Sequence, residues 1–260
     1  MTERLASMAW VVWAAMRSQR RAMRGNPFNI LLGVAQPVVF LTVTAAAYRD
    51  PTADELSRLA IGVALTALWG STIWAAGGIL RREHGEGTLA AMITGVRSPY
   101  LMLFGKSLAA TTISSLFIAG SVAVSAWLLG LPLRVGAPWW TLLGVLLAVV
   151  SGTALGMLLS CLFLVTRHGW AWSSALMYPV FIVGGMMLPL PYLPVPLQWV
   201  STLISLRWAA EFLAGTATDV ADIPALLALI GLTVVYLVLA AFAFRAVVRR
   251  ALRTARLDLV

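Results

Sequence analysis

Six stretches of this chain contain no Asp, Glu, Lys or Arg: Phe28–Tyr48, Leu59–Leu80, Ser107–Leu129, Trp139–Val165, Gly169–Leu188 and Ile223–Phe244. A transmembrane helix needs about 20 mostly apolar residues, and each stretch meets that length. The rest of the sequence agrees, with 60% hydrophobic and 11% charged residues and a mean hydropathy of +0.89. Soluble domains carry about 25% charged residues, and so few polar groups could not cover a soluble globule. The expected fold is an all-α integral membrane protein of six transmembrane helices, with residues 1–260 forming a single domain.

The net charge of +9 would point to nucleic acid in a soluble chain. Here the cations flank the apolar runs, so membrane lipid and not nucleic acid is the expected partner. With both termini in the cytoplasm, the inner segments hold Arg4, Arg17, Arg20, Arg21, Arg24, Arg81, Arg82, Arg97, Lys106, Arg167, Arg245, Arg249, Arg250, Arg253 and Arg256, which is 15 of 19 basic residues. The outer segments hold Arg49, Arg58, Arg134 and Arg207. The positive-inside rule therefore predicts a multi-pass protein of the cytoplasmic membrane with both ends inside. Cys161 is the only cysteine, so no disulfide forms within the chain.

Two segments outside the spans have their own pattern. In residues 1–27, Leu5, Met8, Ala9, Val12 and Met16 recur at helical spacing, and Arg17, Arg20, Arg21 and Arg24 follow. This predicts an amphipathic helix in the inner interface, with its arginines toward anionic headgroups; a plain basic flank is the alternative. The first apolar run is too long, and begins too late, for a signal peptide. Between the fifth and sixth runs, Pro189, Pro191, Pro194 and Pro196 precede an apolar stretch, 197–213, that carries Arg207 and Glu211. Residues 189–221 are therefore expected to form a re-entrant helical pair on the outer side, not a seventh span.

Motifs of chemistry are incomplete. Gly105-Lys106-Ser107 matches the end of a P-loop, but Tyr100 stands where the first glycine is required. His84-Gly85-Glu86 lacks the cysteine pair of a zinc site, and two histidines make no histidine-rich metal centre. The apolar runs offer no carboxylate for a proton relay. Neither a metal nor a cofactor is expected on this chain, and it is not read as an enzyme.

The segment after the second run is different. Leu89, Met92, Ile93 and Val96 fall on one face of a helix that Gly87-Thr88 can start and Gly95 and Pro99 can end. A short amphipathic helix here would either dock a partner protein or lie on the membrane. Arg82-Glu83, Gly87-Thr88-Leu89, Ser98-Pro99 and Gly105-Lys106 together resemble the loop after the second span of ABC type-2 permeases. The resemblance extends to chain length, six spans, the amphipathic start and the Pro-rich outer segment. One departure is Ser205-Leu206-Arg207-Trp208, where that family often has a proline first.

The resemblance implies a permease subunit of an ATP-driven exporter. It would act as a homo- or heterodimer above an ATP-binding-cassette ATPase that carries ATP and Mg. Residues 81–98 would be the coupling loop, with Arg82, Glu83, Gly87, Thr88, Leu89, Met92, Ile93 and Val96 at the ATPase. The substrate would be hydrophobic or amphipathic: a drug, an antibiotic, a lipid or a glycan-linked molecule. Polar and aromatic residues within the spans mark either a substrate path, dimer contacts or helix packing: Gln36, Trp69, Ser71, Thr72, Trp74, Ser173 and Tyr178. Gly152 and Gly156 form a further close-packing pair. A secondary transporter or channel is the alternative function.

Overall fold

The computed structural model describes residues 2–24, 31–47, 52–95, 98–133, 136–166, 168–186 and 193–254. Among these the chain is helical throughout, with no strand. Helix α1 spans Thr2–Arg24. A π-helical turn, Leu31–Ala35, leads into α2, Gln36–Ala47. Helix α3, Ala53–Ser71, passes through a second π turn, Thr72–Ala76, into α4, Ile79–Gly85. The short α5, Leu89–Thr94, precedes α6, Pro99–Leu128, and α7, Pro138–Val165. Then come α8 (Gly169–Val183), α9 (Val195–Ser201), α10 (Ser205–Ala217) and α11 (Ile223–Thr254).

Local chemistry sets where these helices begin. Thr52 and Glu55 form a reciprocal capping box at the start of α3, with the Thr52 amide donating to Glu55 Oε2 at 2.8 Å and the Glu55 amide to Thr52 Oγ1 at 3.3 Å. Pro99 and Pro138 open α6 and α7, where a missing N–H costs nothing.

Among the described residues, four helical segments are long and apolar enough to cross a membrane: Ala53–Gly85, Pro99–Leu128, Pro138–Val165 and Ile223–Ala251. Gly33–Ala47 and Ala171–Val183 are shorter apolar helices at the places of the first and fifth runs. The third run was bounded at Ser107, but the helix begins eight residues earlier and carries Lys106 within it. A charge can sit there because it is paired, as described below.

Helix α7 is the central element, packed against α6, α10, α11 and the second π turn. Its glycines allow this. A Cβ on Gly156 would lie 2.5 Å from Ala76 Cβ, and one on Gly152 would lie 3.2 Å from Thr72 Oγ1. The Gly152/Gly156 pair therefore packs within the chain, backbone close to backbone. One apolar core lies along Leu65, Trp69, Ile118, Leu155, Phe181, Leu206 and Leu213. A second, toward α5, gathers Leu80, Leu89, Leu103, Met157 and Phe244.

The outer surface is apolar. Leu116, Val124, Leu146, Leu162, Val234 and Phe242 are exposed, and no aqueous fold would leave such a band bare. Exposed tryptophans lie at both ends of it, Trp127, Trp139 and Trp140 at one and Trp10, Trp13 and Trp172 at the other. Such belts sit at headgroup level.

Helix α1 has a second face besides the expected stripe. The helix packs along α6, but through Ala15, Gln19 and Met23, which are buried, while Met8 and Ala9 of the expected stripe are exposed. The reason is Gly105, whose missing side chain lets the α1 backbone in: a Cβ there would lie 2.7 Å from the Val12 carbonyl oxygen and 2.8 Å from Ala15 Cβ.

Candidate functional site

The loop between α4 and α6 is built from its charged residues outward. The Arg82 guanidinium reaches back along its own helix and donates to the Trp74 and Ala75 carbonyl oxygens, at 3.2 and 2.6 Å. It thereby closes the carbonyl end of the second π turn, whose i→i+5 bond runs from the Gly77 amide to the Thr72 carbonyl at 2.8 Å. π turns occur often at functional sites. The next residue, Glu83, forms an ion pair with Lys106 of α6, the two side chains being only 13% and 6% exposed. Its second carboxylate oxygen accepts from Thr88 Oγ1 at 2.8 Å. Gly87 turns the chain with φ +71°, a conformation that only glycine adopts without strain.

Thus Arg82, Glu83, Gly87 and Thr88 shape the loop, and Lys106 is its anchor in α6. Lys106 is committed to Glu83, so the incomplete P-loop is a stretch of helix.

Leu89, Met92 and Ile93 are brought together, but facing inward. They are 2%, 2% and 9% exposed, packed on Ile79, Leu80, Leu103 and Phe244. The expectation that this apolar face meets a partner is therefore revised. An apolar stripe shows that a face is buried, not by what, and here the chain's own helices cover it. The face left open carries Glu86, Gly87, Thr88, Ala91 and Thr94. Val96 lies outside the described residues.

The intramembrane candidates divide. Gln36, Trp69 and Thr72 have buried polar atoms without hydrogen-bond partners among the described residues. Gln36 lies against Gly70, where an added Cβ would be 3.3 Å from Gln36 Oε1 and 3.6 Å from Met177 Cε. An unpaired buried polar atom costs about 1–3 kcal/mol, so these groups are the ones suited to a ligand or a second chain. Ser71 and Ser173 instead donate to carbonyls of their own helices, at 2.9 Å each. Trp74 is half-buried, and Tyr178 is 65% exposed.

A cavity of about 610 Å³ opens at the opposite end, between α2, α3 and α10. Arg58, Glu211, Asp222 and Thr218 stand at its mouth, and Phe40, Val63, Thr66 and Met186 line it deeper. None of the seven candidates reaches it. No local sequence signal could have found it, because its lining is scattered over most of the chain.

Beside this cavity α9 and α10 form a hairpin. Ser151 Oγ donates to Ser205 Oγ at 2.7 Å, and Thr141 Oγ1 donates to Thr216 Oγ1 at 3.0 Å. Ser151 lies ten residues further into α7 than Thr141, so the Ser205 end of α10 is about 15 Å deeper than its Thr216 end. The hairpin therefore goes deeper than a purely interfacial position. Arg207 Nε and Glu211 Oε1 pair at 3.4 Å, as their spacing predicts. Ser205, where a proline would have been familiar, heads α10 and uses its hydroxyl to fix α7. Pro189 and Pro191 lie outside the described residues.

A helical bundle with an apolar belt, long apolar helices and a charge-anchored loop at one end defines a polytopic membrane protein. The profile described as ABC-2 type transporter matches residues 11–218, and the chain belongs to that family. None of the curated proteins compared matches the chain. Members of the family are membrane subunits, generally not catalytic, that normally work with an ATP-binding-cassette ATPase.

Proposed function

We propose that the chain is the permease of an ATP-driven exporter, spanning the cytoplasmic membrane six times with both termini inside. It pairs with a second permease, and ATP and Mg bind on a separate ATPase. The observation that carries this reading is the α4–α6 loop. Its open face, Glu86 to Thr88 with Ala91 and Thr94, is held from beneath by the Leu89, Met92 and Ile93 anchor and by the Glu83–Lys106 pair. Arg82 ties the same loop to a π turn in the middle of the bundle. A push on the open face from an ATPase would therefore reach the second π turn, beside Trp69, through rigid connections. The cavity, with a charged mouth and an apolar interior, suits an amphipathic substrate leaving outward, and the α9–α10 hairpin, re-entrant from the outer side, would cap that exit.

The test is co-purification with the ATPase. Ala91→Glu and Thr94→Glu place charge and bulk on the open face without touching the core. Both variants should insert and unfold like the parent yet lose the ATPase. Retained ATPase binding and transport would remove α5 from the interface.

A further inference from the structure

A groove of about 470 Å³ runs between α1 and α6, distinct from the loop and the large cavity. On one side stand Trp13, Met16, Arg17 and Arg20, a stripe at i, i+3, i+4 and i+7 of α1. Its floor is Ala109, Thr112 and Ile113, one face of α6. The stripe adjoins the Ala15, Gln19 and Met23 face that packs on α6, so the groove is a seam beside a fixed contact, not a gap between loose helices. The Arg17 guanidinium carbon lies 5.5 Å from the Trp13 ring centre, which orients it along the seam. Among the described residues neither arginine has an acidic partner. The floor lies three to seven residues beyond Lys106 along α6, about 5–10 Å.

We propose that this groove is a binding site for one anionic phospholipid. Two arginines about one helical turn apart would neutralise and hydrogen-bond a phosphodiester, which guanidinium groups match in geometry. The apolar floor would take an acyl chain running into the bilayer. Charge complementarity selects the anionic lipid over a zwitterionic one. The apolar floor selects a lipid over a free anion. Occupied, the groove would tie α1 to α6, and so to the helix that carries Lys106.

The full-length permease, purified in detergent, tests this by its unfolding temperature in mixed micelles. Phosphatidylglycerol should raise it above the value in phosphatidylcholine, and inorganic phosphate should not. Arg17→Gln with Arg20→Gln should abolish that increment while leaving the phosphatidylcholine value unchanged. Arg21→Gln with Arg249→Gln removes the same charge from exposed positions outside the groove and should leave the increment intact. Thr112→Phe, which fills the floor, should reduce it. Equal loss in both arginine pairs would mean diffuse attraction and would overturn the site. So would an increment that survives loss of Arg17 and Arg20, or one that free phosphate reproduces.

Discussion

Glu83 and Lys106 are almost fully out of solvent, and Thr88 holds the second carboxylate oxygen. Removing one partner leaves the other charge buried and uncompensated, which costs about 3–5 kcal/mol. Lys106→Met should therefore lower the unfolding temperature markedly, and adding Glu83→Gln should recover much of the loss. A thermal scan of the two single variants and the double variant checks this as a coupling cycle. Gly156 is a second single-atom constraint. With a Cβ placed 2.5 Å from Ala76 Cβ, Gly156→Ala must push α7 off the π turn, at a cost of about 1–3 kcal/mol. Gly231→Ala, with nothing within 4 Å of the added atom, should be neutral or slightly stabilising in the same assay. The contrast separates close packing from helix propensity.

The α9–α10 hairpin makes a prediction at the scale of elements. Its turn, near Leu203, lies at the deep end of α10, while Thr218 lies at the shallow end. A cysteine at 203 should resist an impermeant thiol reagent added from outside, and one at 218 should react. Cys161, only 1% exposed, should stay silent. Equal labelling would flatten the hairpin onto the surface. Elements of this kind were legible in the sequence where burial is continuous, because an uncharged run of 20 residues has few ways to satisfy its backbone in lipid. The Arg207–Glu211 pair was legible for the same local reason, a spacing of four. What periodicity could not reveal was the partner of each apolar face. The stripe Leu89, Met92 and Ile93 is real, but it is covered by Leu80, Leu103 and Phe244 from distant segments. In α1 the packing face follows Ala15, Gln19 and Met23 because Gly105 opens a place for them, and a glycine on another helix leaves no mark in the α1 pattern. The large cavity was illegible because Phe40, Arg58, Met186 and Glu211 meet only after folding.

For the molecule as a whole, the basic residues mark one end. Arg81, Arg249 and Arg250 lie toward α5, whereas Arg58 lies at the mouth of the cavity at the other end. The topology proposed above puts α5 in the cytoplasm, as the positive-inside rule expects. A cysteine replacing Asp54 should react with an impermeant reagent in intact cells, and one replacing Arg249 should not; the reverse pattern would invert the topology. The Glu83–Lys106 pair also bears on how such a bundle enters the bilayer. Its two residues are 23 positions apart, one near the end of the α3–α4 segment and the other near the start of α6. Each charge alone would resist entry into the hydrocarbon. Emerging from the ribosome in close succession, they can neutralise each other as soon as α6 is made. The two apolar segments then suit insertion as a helical hairpin, a single biosynthetic unit whose internal ion pair is already formed before α7 arrives to pack against it.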